Sequence, residues 1–204
     1  MKTSKMKRFS LFKELFFSDA RRYLDDEIYT TLIHRGWFLG YFIVRGIPGL
    51  RFSFWMRLCH ILQGSKPWLP FYAIALNRYN HYTYRFGISI PFNTQIGKGF
   101  YIGHFGCIVV NQSAVIGMNV NISQGVTIGK GNRGGNAGVA TIGNGVYIGP
   151  GVKIIGAVHI GNNVAIGANA VVTHDVPDNA VAAGVPARVI SMKGAEGYVN
   201  RKAE

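Results

Sequence analysis

The chain has 204 residues, 48% hydrophobic and 15% charged, which suits one domain with an appendage and excludes a disordered chain. Its formal net charge is +13, and before residue 89 the only acids are Glu14, Asp19, Asp25, Asp26 and Glu27. That balance suits an anionic partner, whether a nucleic acid, an anionic membrane face or a phosphorylated substrate; of these, nucleic acid is not expected here. The 27 glycines follow no collagen-like period, so they serve some other repeated backbone need.

Taken in chain order, residues 1–88 read as a helical segment. Apolar residues fall near helical spacing in Phe9–Phe17, Asp19–Arg35, Arg51–Gln63 and Leu69–Phe86. Gly36, Gly46–Gly49 and Gly64–Pro67 punctuate them. Lys13 and Glu14 interrupt the first apolar stretch, so no signal peptide is apparent. The most apolar run, Trp37 to Val44, is too short to span a bilayer and is ended by Arg45 and Pro48. The expected location is the cytoplasm, with the inner face of the membrane as a possible contact. The Arg51–Leu58 stretch, with Arg51 and Arg57 flanking aromatics, allows two roles. One is a cap over the exposed edge of the C-terminal half. The other is a face for membrane or a lipid-linked substrate. Cys59 and Cys107 lie far apart and are expected to be reduced thiols.

From residue 89 to 192 the sequence repeats in hexads. An aliphatic residue recurs at Ile90, Ile96, Ile102 and Ile108, then after a two-residue slip at Ile116, Ile122 and Ile128. After a longer break, 129–141, it recurs at Ile142, Ile148, Ile154, Ile160, Ile166 and Val172. A small or β-branched residue stands two places before it, as at Val126, Val152 and Ala170. The two point to one side of a short strand. Three places after it stands Gly, Asn or Asp: Gly99, Asn119, Gly125, Gly131, Gly145, Gly151, Asn163, Asn169, Asp175. These residues tolerate positive φ, so a left-handed turn can fall once per hexad. Three strands and three turns close a triangular coil, and stacked coils bury an aliphatic axis. Residues 193–204 form a C-terminal tail.

This pattern resembles the hexapeptide-repeat superfamily. The resemblance implies a mainly β fold, a left-handed parallel β-helix with an N-terminal α-helical segment. Within it, Ile96-Gly-Lys-Gly-Phe-Tyr-Ile-Gly-His-Phe-Gly-Cys-Ile-Val-Val-Asn and Ile122-Ser-Gln-Gly-Val-Thr-Ile-Gly are similar to the serine acetyltransferase branch. By that resemblance His104 is the catalytic base and acetyl-CoA the co-substrate, with no metal required. An imidazole suits the task because its ordinary pKa lies near neutrality. Independently, His104 and Phe105 break the local rule of a regular repeat, where a functional site is expected. His159 and His174 are the other repeat histidines, and their spacing does not suggest a zinc site.

The resemblance further implies that the 129–141 loop walls a neighbour's site, with Lys130 and Arg133 meeting CoA phosphates or an anionic acceptor. The closing Ala182-Ala-Gly-Val-Pro-Ala-Arg-Val-Ile places Arg188 and Lys193 near CoA phosphates. Gly149, Ala168, Thr173 and His174 would line the pantetheine slot. A homotrimer, or a multiple of it, follows from the same likeness. Two departures stand out: the acid that precedes the base in that branch is Gly103 here, and a second histidine of the loop is replaced within Ala137-Gly-Val-Ala-Thr. Losing these partners for a zwitterion turns the expected acceptor from serine to a sugar hydroxyl of a cell-surface polysaccharide, free or lipid-linked. Serine O-acetyl transfer is the alternative, and a non-enzymatic β-helix scaffold is the alternative of another class.

Overall fold

The computed structural model describes residues 2–35 and 46–204, with side chains described for 8–34 and 46–204. The apolar run Trp37–Val44 and its flanks Gly36 and Arg45 lie outside the described residues. Among the described residues four helices come first: α1 (Lys2–Tyr23), α2 (Asp26–Arg35), α3 (Pro48–Leu62) and α4 (Leu69–Phe86), with a short 3₁₀ turn at Lys66–Trp68. The break between α1 and α2 falls at residues 24–25, not after Phe17. Its cause is a cap: Asp25 Oδ1 accepts the amide of Ile28 at 2.9 Å, satisfying one of the donors a helix start leaves open. Pro48 starts α3 at a position where no amide is needed. Gly87, at φ 60°, closes α4 with the left-handed conformation that glycine adopts without penalty.

Fifteen short strands follow and wind into a prism with three faces. The first face stacks β1 (Ile88–Ser89), β4 (Ile108–Val110), β7 (Thr127–Gly129), β10 (Lys153–Ile155) and β13 (Val171–Val172). The second stacks β2 (Gln95–Ile96), β5 (Val115–Ile116), β8 (Thr141–Ile142) and β11 (His159–Ile160). The third stacks β3 (Tyr101–Ile102), β6 (Asn121–Ile122), β9 (Tyr147–Ile148), β12 (Ala165–Ile166) and β14 (Val181–Ala183). All these pairings are parallel; β15 (Arg188–Ser191) then turns back antiparallel on β14. Inside runs a continuous core, with Ile102, Ile122, Ile148 and Ile166 buried on the third face alone.

The register relocates the two-residue slip. Val110 pairs with Ile128, and Ser89 with Val109, so Val110 holds the aliphatic slot. Ile108 pairs with Ile88 in the slot two places earlier, both fully buried. The extra residues therefore lie between Ile102 and Val110, in the turn that carries His104, rather than after Ile108. Seven of the nine expected turn residues have positive φ, from 54° at Asn163 to 74° at Gly151. Gly131 and Asp175 are the exceptions, because each leaves the hexad for another task. Gly131 exchanges hydrogen bonds with Gly138 across the loop base, and Asp175 accepts the amide of His159.

The first coil has no coil beneath it, and its strand edge would leave polar groups unpaired. Side chains of the helices pair them. Tyr79 donates to Ile90 O at 2.8 Å, and Arg57 donates to Ile96 O at 2.7 Å and Gly97 O at 2.6 Å. Arg22 donates to Gly99 O at 2.8 Å, while Asp19 accepts from Phe100 N at 2.8 Å and Tyr23 from Ile102 N at 2.7 Å. Arg57 and Asp19 are themselves a buried ion pair, Nε to Oδ2 3.0 Å. Burial pushes the Asp19 carboxyl up from its ordinary 3.8, against the pull of Arg57 and the Phe100 amide. The Arg51–Leu58 stretch thus serves the cap role: Phe52, Phe54, Met56 and Arg57 are buried. The tail 193–204 is not loose. It runs back down the third face, stacking Tyr198 on Tyr147 at 4.6 Å and taking Arg22 Nε on Asn200 O.

Candidate active site

The prism has three corners, one per change of face. Between the third and first faces lies the corner of His104; we call it the histidine corner. In its lowest turn, Gly103 to Cys107, eight residues separate Ile102 from Val110 where a hexad has six. The extra length pushes the backbone out. Gly106 and Cys107 take φ of 112° and 52°, and His104 is exposed. Phe105, half-exposed, rests its ring on Phe86 of α4 at 5.4 Å, which fixes the turn against the helical cap. Gly87 lies directly beneath, where a Cβ would come 3.2 Å from Cys107 N. Among the described residues no carboxylate is hydrogen-bonded to the His104 ring. Exposed Cys107 stands in the same turn, and both cysteines are free.

Above this turn the corner continues as a ladder of small residues. Gly125 N donates to Gly106 O at 2.8 Å, Gly151 N to Gln124 O at 2.9 Å, and Asn169 N to Pro150 O at 2.8 Å. The last rung is the turn at Gly184, whose carbonyl accepts Val171 N at 3.0 Å. At about 4.8 Å per coil the four steps span roughly 19 Å, the order of length of an extended pantetheine arm. Gly149 and Ala168 belong to this ladder and adjoin each other: a Cβ on Gly149 would lie 3.0 Å from Ala168 N. Exposed Arg188 leaves the top turn and donates to its neighbour Ala187 O at 3.0 Å. Exposed Lys193 does not join it: β15 carries the chain from Arg188 back across the third face, and Lys193 stands beside the Asn179 turn, whose carbonyl accepts Gly194 N at 2.9 Å. An uncharged, slim ladder ending in Arg188 fits a CoA arm with its phosphates.

The structure brings His104, Gly149, Ala168 and Arg188 to one corner. It does not bring Thr173, His174, Lys130 and Arg133 there. Those four stand at the corner between the first and second faces, where the 130–140 loop leaves β7. The loop folds over that corner: Asn136 Nδ2 donates to Thr173 O at 2.9 Å and Asn136 O accepts Ala157 N at 3.0 Å. Thr173 Oγ1 and His174 Nδ1 lie 3.0 Å apart, and Lys130, Arg133 and His174 are exposed. Pantetheine contacts by Gly149 and Thr173 therefore cannot come from one short stretch of one chain. His159 lies on the second face, apart from both groups. Among the described residues no three His, Cys, Asp or Glu side chains cluster to hold a metal ion.

Sequence reasoning missed Lys153. It points outward from the first face in a column otherwise filled by Ser89, Val109, Thr127 and Val171. Its Nζ reaches down to Gly125 O and to Thr127 Oγ1, the latter at 3.2 Å. That puts a half-buried cation, without an ion pair among the described residues, one rung above the His104 turn. The period alone gives no signal, because the same slot takes Gln95, Tyr101, Asn121, Tyr147 and His159 on the other faces; only the stacking of every third hexad sets Lys153 apart.

Comparison with known proteins agrees with this geometry. The family model for bacterial transferase hexapeptide (six repeats) matches residues 140–174. The serine acetyltransferase of Bacillus subtilis (strain 168) is 33% identical over 154 residues, covering 74% of this chain and 68% of the relative. A serine acetyltransferase structure in complex with CoA superposes with TM-score 0.65 at 29% identity, covering 88% of this chain and 68% of that one. The serine acetyltransferase of Brucella abortus strain S19 gives TM-score 0.61 at 32% identity over 72% of this chain. This chain spans 58% of that structure's length. The chain belongs to the hexapeptide-repeat acyltransferases, in the serine acetyltransferase-like branch, and its prism is their left-handed parallel β-helix. By that membership it is an acetyl-CoA-dependent acyltransferase.

Proposed function

We propose that the chain transfers acetyl from acetyl-CoA to a hydroxyl at the histidine corner, with L-serine as the leading acceptor. The observation that carries this is the placement of His104, exposed in the enlarged lowest turn, at the foot of a ladder long enough for a CoA arm. The neutral imidazole takes the proton of the acceptor hydroxyl as its oxygen bonds to the acetyl carbon. The carbon–sulfur bond then breaks, and the proton passes from His104 to the departing thiolate. Products are an O-acetyl ester and CoA, and the histidine ends neutral. Most of the rate comes from holding thioester and hydroxyl in line. Amides of the corner turns supply donors for the charge that develops on the carbonyl oxygen.

A complete site needs a second copy. Lys130, Arg133, Thr173 and His174 sit at a corner that a single prism keeps away from His104. Packing three prisms brings the loop corner of one copy to the histidine corner of the next, as a cyclic trimer allows. Lys153 then offers a cation to an acceptor carboxylate, and Arg188 offers its own to CoA phosphates.

The relatives found are serine acetyltransferases, and they support serine over the polysaccharide acceptor that the two sequence departures suggested. A sugar hydroxyl stays the second reading for one reason: Gly103 leaves no acid beside His104 to meet an ammonium group. The test is kcat/KM for L-serine against a panel of simple sugars and polysaccharide, with one enzyme and acetyl-CoA. L-Serine is expected to lead. A preference of about tenfold or more for a glycan hydroxyl would replace serine by the second reading.

A further inference from the structure

The helical cap carries a surface that acetyl transfer does not use. Between α1, α3 and the start of α4 lies a groove of about 500 Å³. Its described lining is apolar apart from Arg8 and Lys13. At its mouth Phe9, Phe71 and Ile74 are 50–57% exposed, a cluster of large apolar side chains that a surface facing only water rarely keeps. Cations ring it. Arg8 donates to the carbonyls of Ile61 and Gln63, and Lys13 lies over the Phe9 ring at 5.1 Å. Lys66 is exposed in the turn before α4, and the first turns of α1 contain Lys2, Lys5 and Lys7 in sequence. Among the described residues, none of Arg8, Lys13 and Lys66 has an ion pair and no acid lines the groove.

We propose that this end of the molecule docks on an anionic phospholipid bilayer, with acyl chains entering the groove and Arg8, Lys13 and Lys66 meeting the headgroups. Apolar side chains flanked by basic ones are what an interfacial helix needs: burial at the acyl boundary and attraction to negative lipid. No helix among the described residues is long and apolar enough to cross a membrane, so the contact is peripheral. The groove lies at the start of α4, while Phe105 of the His104 turn packs on Phe86 at the other end of that helix. This inference does not depend on which hydroxyl is acetylated.

The test is co-sedimentation of the full chain with vesicles of phosphatidylglycerol mixed with phosphatidylcholine, and with phosphatidylcholine alone. Partitioning should be at least about tenfold stronger on the anionic vesicles and should weaken with added salt. Phe71→Glu and Lys13→Glu change exposed side chains, so both variants should fold. Each should cut partitioning on anionic vesicles several-fold while acetyl transfer to a soluble acceptor keeps its wild-type rate. No binding to anionic vesicles, equal binding to both vesicle types, or unchanged binding by Phe71→Glu would overturn the proposal. If Phe71→Glu instead converts a larger assembly into a smaller one, the surface is a contact between copies of the chain and the lipid reading fails.

Discussion

Two corners of the prism are built from the same hexads and use their polar groups differently. At the corner between the second and third faces each turn is tied to the next. Asn144 Oδ1 accepts the amide of Met118 at 2.8 Å, Asn162 Oδ1 that of Asn144 at 2.9 Å, and Asp178 Oδ1 that of Asn162 at 2.6 Å. Beneath this ladder runs a column of glycines packed backbone to backbone, where a Cβ on Gly117 would lie 2.5 Å from Gly143 O. At the histidine corner the lowest turn is two residues longer, and its side chains are left to solvent. Where the hexad is kept, side chains are consumed in holding coils together; where it is broken, they become available for chemistry.

This contrast can be broken at either corner. Deleting Phe105 and Gly106 restores the hexad and withdraws His104 into a regular turn. We expect acetyl transfer to fall by about 10²-fold or more, with circular dichroism showing an intact β-helix. Survival of activity would mean that the long turn is incidental. Asp19→Ala addresses the tie between cap and prism by leaving Arg57 buried without its partner. Urea unfolding should show a loss of roughly 3–5 kcal/mol, and a loss below 1 kcal/mol would show that the ion pair does not secure the cap. Gly117→Ala forces the asparagine corner apart and should cost about 1–3 kcal/mol in the same assay, with kcat of the folded protein unchanged. A fall in kcat with unchanged stability would erase the division of labour between the corners.

Smaller effects sharpen the picture. Lys153→Gln removes the cation one rung above His104. KM for a carboxylate-bearing acceptor should rise about tenfold, with little change for a neutral sugar; equal effects on both would make Lys153 structural. Burial pushes the Cys59 thiol up to about 12, so it stays protonated at neutral pH, while Cys107 is exposed in the His104 turn. Iodoacetamide should label one thiol in the native protein and two after unfolding. Native labelling of Cys59 would contradict its place in the core.

The hexads made the prism legible because each slot has a single physical demand: a buried aliphatic, a small partner, a residue that accepts positive φ. Ile96, Ile122 and Ile148 follow from period alone. The slip was visible as a count of two residues but not as a place, since Ile108 and Val110 are both aliphatic and both buried; only pairing across coils separates them. His104 was legible as a broken rule, and the role proposed for it rests on resemblance. The cap was legible as helices but not as a set of ties. Nothing in the sequence says that Arg22, Arg57, Asp19 and Tyr23 reach strands some 40 to 80 residues away. The split of the expected CoA contacts between two corners was likewise invisible, because neighbours along the chain, Val172 and Thr173, lie on a face and at its corner.

The most direct test of the account is the release of CoA thiol from acetyl-CoA and L-serine by wild type and His104→Ala, with CoA binding and thermal unfolding measured on the same samples. The account predicts that turnover falls by about 10²- to 10⁴-fold while binding and unfolding stay as they were. Turnover within a few-fold of wild type would contradict it, and His104 would then leave the mechanism.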